Sequence, residues 1–438
     1  MGGRTATRLL PAALLLAVAA GCAGPSTAYK RDLHQQLAAG RYEEAAARID
    51  ALEHEYGERN QVLFWLDKAA VLHDAGKYAE SDALLDRAEL RLDALYTQSI
   101  SKAAATFLWN DGADDYRGEP FERALLHVLR ALNYVYLHQQ DDALVEARKV
   151  SAFLTGLNDK LAGKQVYRDD AFAQYLSALL YEEAGRQDDA RISRDRALKA
   201  YEWYATDYRT PAPSFAAEPL APGQGELVLL HYNGIAPRKT SQSVQVAWND
   251  AVAVVGADEE GRTNQQVNNA LRAGIMADAI TVAFPAYVQD PYQVRGSRAR
   301  AGRLAVETQL VEDISAIARK ALADRIAAIR VRAIARATIK FVLAKVAEKQ
   351  VEERAGKGFG MLAGVLARSV AAGSEVADTR AWTTAPAEIR MARLPLPAGH
   401  HQLVVEYLSQ AGAPLKVETL EVDVVEGKRS WVHVRSAF

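Results

Sequence analysis

Between Asp32 and Tyr208 apolar positions recur every three to four residues, and a single proline, Pro120, interrupts them. That period predicts a succession of amphipathic helices. Past residue 225 the period falls to two. Residues 226–232, 243–248 and 279–284 read as strands, the last stopped by Pro285. Residues 310–354 contain neither Gly nor Pro and predict one long helix or two abutting ones. Its apolar positions cover much of the circumference, so the helix is expected to be largely buried. Alternation then returns, and strands at 388–394, 402–408, 415–425 and 430–434 are expected to close a β-meander over 387–435. The expected fold is α plus α+β, an N-terminal helical array followed by a β-rich C-terminal domain with a long helix.

Within the helical half a short pattern recurs: Gly40-x-Tyr42-x-x-Ala45, Gly76-x-Tyr78-x-x-Ser81 and Gly185-x-Gln187-x-x-Ala190, with a degenerate copy at His138-x-Gln140-x-x-Ala143. Each copy sits between two helix candidates. The glycine turns the chain out of one helix, and the small residue lets the next helix approach. The pattern resembles the tetratricopeptide (TPR) repeat, which implies a helical solenoid over 31–209 with a concave surface for a partner. Residues 210–225, with Pro211, Pro213, Pro219 and Pro222, read as a linker to a mixed domain over 226–438.

Ahead of the helices, Arg4 and Arg8 precede an apolar run over 9–20 that ends in Ala19-Ala20-Gly21-Cys22. The run falls short of the roughly 20 residues that a membrane span needs. It resembles a bacterial lipoprotein signal peptide over 1–21, which implies lipidation of Cys22, the only cysteine, followed by a tether over 22–30. An ordinary secretory signal is the alternative. Ala23 stands where Asp would favour inner-membrane retention, so the expected location is the outer membrane of a Gram-negative cell, facing the periplasm. One cysteine leaves no disulfide framework.

The net charge of −2 conceals an asymmetry. Residues 23–222 carry 24 basic and 33 acidic side chains, and residues 223–438 carry 27 and 22. Opposite signs favour docking of the two halves. Neither half is basic enough for nucleic acid.

Candidate chemistry concentrates in two places. The first is the loop and helix start containing Trp109, Asp111, Asp114, Asp115, Tyr116, Glu119, Glu122 and His127. Its carboxylates could supply a general acid and base for glycan cleavage, or oxygen ligands for a hard cation. The spacing matches no calcium loop, and an acidic connector favouring the following helix N-terminus accounts for the same residues. His127, on an otherwise apolar helix, reads as a hydrogen-bonded core residue. The second is a basic stripe, Arg325, Arg332, Arg336 and Lys340, together with Asp378-Thr379-Arg380-Ala381-Trp382. These residues could contact an anion or a partner, or could pair internally.

Trp109-Asn110-Asp111-Gly112, the string from Tyr116 to Glu122, and the Asp378 to Pro386 stretch together resemble a group of uncharacterised proteobacterial lipoproteins with TPR-like N-terminal halves. The resemblance implies architecture and location and no activity. The run Leu396-Pro397-Ala398-Gly399-His400-His401 resembles small β-sandwich modules of envelope proteins. No nucleophile elbow, zinc-protease helix, Walker loop or dinucleotide fingerprint occurs. The expected function is therefore a membrane-anchored scaffold or adaptor for envelope proteins, without catalysis, cofactor or metal. The alternative is a peptidoglycan-acting hydrolase using the 111–122 carboxylates.

Overall fold

The computed structural model describes residues 27–100, 115–161, 167–214, 220–256, 274, 276–355 and 377–438. Cys22, Trp109, Asp111 and Asp114 lie outside the described residues. The chain is a mixed helix-and-sheet fold. Helices α1 (Thr27–Ala38), α2 (Tyr42–Ala51) and the short α3 (Glu53–Tyr56) come first. Three longer pairs follow: α4 (Gln61–Asp74) with α5 (Tyr78–Ile100), α6 (Pro120–Tyr136) with α7 (Gln140–Leu161), and α8 (Ala171–Glu183) with α9 (Gln187–Asp207).

The four sequence copies make one and the same turn. Gly40, Gly76, His138 and Gly185 are left-handed, with φ of 70°, 73°, 58° and 72°. In each copy that residue's N–H bonds three residues back and the next N–H bonds five back, as in Gly76 to His73 (3.0 Å) and Lys77 to Leu72 (2.8 Å). This is Schellman closure, which satisfies carbonyls that the helix end would otherwise leave open.

The first helices of the three long pairs form an inner layer. Almost every residue over 62–73 of α4, 121–133 of α6 and 171–181 of α8 is buried. Helices covered all round must be packed on more than one side, and here the outer helices α5, α7 and α9 cover one side. A β-sheet covers much of the other.

That sheet has the order β10-β1-β7-β6, formed by β1 (Gln224–Asn233), β6 (Gln309–Glu312), β7 (Glu388–Pro397) and β10 (Arg429–Ser436). Strand β1 runs parallel to β10 and antiparallel to β7. A second sheet, β5-β4-β8-β9, comprises β4 (Gly296–Ala301), β5 (Leu304–Glu307), β8 (Gly399–Leu408) and β9 (Pro414–Val424). Leu227 and Leu229 of β1 face Leu403, Val405 and Val422 of that sheet. The alternate residues Val228, Leu230 and Tyr232 belong to the helical core, with Ile389 and Met391 of β7. The unbroken apolar run over 227–230 follows from this burial on both faces.

A third element stands beside the body: helix α11 (Ile314–Ala355), the hairpin β2 (Arg238–Ala247) and β3 (Ala279–Val288), and α10 (Trp248–Gly256). Trp248, Ile280, Val282 and Phe284 pack on Ala333, Ala337 and Val342 of α11. Among the described residues no helix is long and apolar enough to cross a membrane.

Several expectations change. Residues 27–30 are already helical. Residue 210, at the start of the expected linker, is fully buried, and its N–H bonds Tyr204 O at 3.1 Å. The long helix starts at Ile314 because 309–312 pair with β7 and Asp313 Oδ1 accepts from Ala316 N at 2.7 Å, capping a new helix. Burial of α11 is only partial, with Val331 49% exposed. Strand β3 runs through Pro285, which sits opposite Ser241 in a two-stranded sheet and needs no second partner for its missing N–H. The C-terminal strands are divided between two sheets rather than joined in one meander: β8 and β9 pair in one, while β7 and β10 flank β1 in the other.

Candidate functional site at the junction of the halves

The two candidate groups read from sequence, over 200 residues apart, meet at one place. Glu119 and Glu122 form a capping box on α6, with Pro120 at its first turn. The Glu119 carboxylate then accepts from Lys239 Nζ at 2.6 Å and from Arg325 Nη2 at 2.5 Å. Burial opposes its ionisation, but the two cations outweigh burial and hold it at about 2. Lys239 lies 5.4 Å from the centre of the Tyr287 ring, and despite its burial these neighbours raise its affinity for the proton.

Glu122 is engaged on both oxygens. Oε2 accepts from Tyr116 Oη at 2.5 Å and from Glu119 N at 2.7 Å, and Oε1 accepts from Trp382 N at 2.9 Å. Burial pushes its carboxyl up from the ordinary range. The 377–386 loop is therefore tied directly to the start of α6.

The rest of that loop is fastened the same way. Arg380 grips Asp378 through Nε and Nη2, both at 2.9 Å, reaches Asn60 Oδ1 at 3.1 Å, and lies over the Tyr116 ring at 5.4 Å. Asp67, in the middle of the largely apolar α4, accepts from the backbone N–H groups of Thr383 and Thr384 at 3.0 and 3.1 Å and from Tyr56 Oη at 3.0 Å. Trp382 is 1% exposed. Part of the inner face of the helical half is filled by the chain's own loop.

Above this network is a cavity of about 90 Å³ between the 116–120 loop, the β2–β3 hairpin and α11. Its charged lining is Arg117, Lys239, Arg325, Arg332 and Arg336, with Glu119 and Asp378. Lys340, of the same basic stripe, does not line it.

His127 lies elsewhere. Its Nδ1 is 2.7 Å from Glu146 Oε2, in the buried layer between α6 and α7. Glu89, His127 and Glu146 gather closely enough to hold a metal ion. Their carboxylates are already engaged by protein cations, since Arg130 pairs with Glu89 and Lys149 lies 2.9 Å from Glu89 and 3.0 Å from Glu146. The geometry accounts for His127 as a hydrogen-bonded core residue.

Sequence reasoning missed Lys239, Asp67 and the Thr383-Thr384 pair. Arg238-Lys239 looks like an ordinary solvated strand entry, and nothing nearby signals burial. Asp67 did leave a signal, a carboxylate directly after the apolar run Val62-Leu63-Phe64-Trp65-Leu66. Comparison with known protein families, characterised proteins and solved structures gives no match for this chain.

Proposed function

We propose that this protein is a lipid-anchored protein of the bacterial envelope, held at the outer membrane through an acylated Cys22 and acting as a scaffold without catalysis. In this reading its helical half is a TPR-like solenoid, and the chain is related to the lipoprotein group that its loops resemble. The observation that carries the non-catalytic reading is the commitment of Glu119 and Glu122 to internal partners. A general acid or base must reach the substrate with a free oxygen. Asp115, the remaining described acid of that loop, pairs with Arg91 at 2.5 Å.

The inner helical face is covered by β1, β7 and the 377–386 loop, so a partner meets the outer layer. There Leu90, Val145, Ile192 and Leu198 are exposed on α5, α7 and α9. The anchor is tested by Cys22→Ser followed by membrane fractionation. The substituted protein should move to the soluble fraction with an unchanged melting curve; retention in the membrane would remove the anchor from the proposal. The scaffold is tested by cross-linking in intact cells, comparing wild type with Leu90→Asp and Ile192→Asp. A partner captured equally by all three would sink the outer-layer assignment.

A further inference from the structure

We propose that a second cavity, lined by α7, α8 and α9, binds an acidic saccharide, a sugar ring that carries a carboxylate. Its volume is about 240 Å³. Helix α7 contributes Ser151 and Thr155, and α9 contributes Arg196, Lys199 and Trp203. Their spacing of three and four residues puts the α9 side chains on one face of that helix. Gln174 of α8 and residues 168–169 complete the polar lining. A lining this polar favours a hydroxyl-rich ligand over an apolar one.

The acceptor in that lining is ordered in advance. Asp169 Oδ1 accepts from Gln174 Nε2 at 3.0 Å and from Asp170 N at 2.9 Å, and Gln174 Nε2 also reaches Ser151 Oγ at 3.1 Å. Gln174 is 2% exposed, so packing holds this chain of bonds in place. Asp169 Oδ2 has no hydrogen bond among the described residues and is not sealed from solvent. Burial pushes the Asp169 carboxyl up from its ordinary range, and a hydroxyl donating to Oδ2 would offset that cost. A carboxylate in the wall repels a bare anion but accepts from the hydroxyls of a sugar.

Two further groups narrow the ligand. Trp203 is half-buried, with the Arg168 guanidinium 5.7 Å from its ring centre. An indole offers a flat apolar surface to the C–H face of a sugar ring. Arg196 acts on Asp169, whereas the exposed Lys199 has no ion-pair partner among the described residues. Its ammonium suits a carboxylate on the ligand. Hydroxyls at Asp169, a ring face at Trp203 and negative charge at Lys199 are met together by an acidic sugar. A simple anion meets only the last. The inference rests on neither the Cys22 anchor nor the outer-layer partner proposed above.

The test is saturation-transfer NMR on the full chain, with glucuronate, galacturonate and N-acetylmuramate as probes and with glucose and acetate as controls. At least one of the three acids should bind saturably, and roughly tenfold or more tighter than either control. Trp203→Ala and Asp169→Ala should each weaken that binding roughly tenfold or more, and Lys199→Glu should remove the preference over glucose. Melting curves identify any variant that has lost its fold; Lys199→Glu, at an exposed position, serves if the other two misfold. Absence of binding by all three acids overturns the proposal. So does binding equal in folded variants and wild type, or glucose or acetate binding as tightly as the acids. The readout uses purified protein and needs neither membrane nor partner, so its failure leaves the scaffold reading standing, and loss of the anchor leaves this site standing.

Discussion

At the scale of residues, Glu119 carries the most consequence, because two partly buried cations converge on it. Glu119→Gln keeps the shape and removes the charge, leaving Lys239 and Arg325 without their carboxylate. Breaking one side of a buried pair costs about 3–5 kcal/mol, and chemical denaturation should show a loss of that order. A loss under about 1 kcal/mol would mean that solvent, rather than Glu119, balances the two cations. Only the general expectation that the basic stripe could pair internally was legible in sequence, not the partner. Glu119 stood out as an acid before a proline, but its partners come from residues 239 and 325, and no local pattern links such distant positions.

Among the elements, the helical turns were the most legible feature, since a turn is encoded by the few residues that make it. Gly40, Gly76 and Gly185 announce a left-handed residue, and the degenerate copy at His138 adopts the same geometry without glycine. A residue with a Cβ is strained in that conformation by about 1–2 kcal/mol. His138 is exposed, so its side chain contributes little packing. His138→Gly should therefore raise stability by about 1 kcal/mol, seen as a higher melting temperature. An unchanged or lower value would show that the imidazole contributes there. The strands were less legible. Alternation identifies which residues share a face, but not which strand lies beside another. Strands 388–397 and 399–408 are adjacent in sequence and belong to different sheets, because both bury one face in the same interior rather than pair with each other.

For the whole molecule, the charge asymmetry was a fair guide. Basic residues of the C-terminal half reach acids of the helical half, Arg325 to Glu119 and Arg429 Nη2 to Glu182 at 2.6 Å. The same boundary contains His73, which lies between Asn133 Oδ1 at 2.6 Å and Tyr232 Oη at 3.1 Å and stacks on His433 at 4.8 Å. Burial is the main cause that lowers His73 to about 4, from 6.5. Unfolded chains then bind its proton at higher pH than folded ones, so native stability falls as pH drops from about 6.5 towards 4. Asp74 acts in the opposite sense, since burial raises it from 3.8 to about 6 and the folded state keeps its proton longer. His73→Gln removes only the first effect. Its melting temperature should fall less over the same acid range than that of wild type, and parallel curves would exclude His73 as the source.

The shared core has a further consequence for folding. Strand β1 buries Leu227 and Leu229 against the second sheet and Val228, Leu230 and Tyr232 against the helices. Neither half can cover both faces of that strand by itself. Helices α4, α6 and α8 have the converse need, because their inner sides are completed by β1, β7 and the 377–386 loop. Separating residues 31–209 from 226–438 would expose a large apolar surface on each piece, at about 25 cal/mol per Å² of lost burial. The intact chain should therefore unfold in one calorimetric transition through body and sandwich. Each isolated half should bind a hydrophobic dye and lack sharp melting, and the two mixed together should recover part of the native signal. Two separated transitions in the intact chain, or a well-folded isolated half, would show that the interface is a docking contact between independent domains instead of part of a common core.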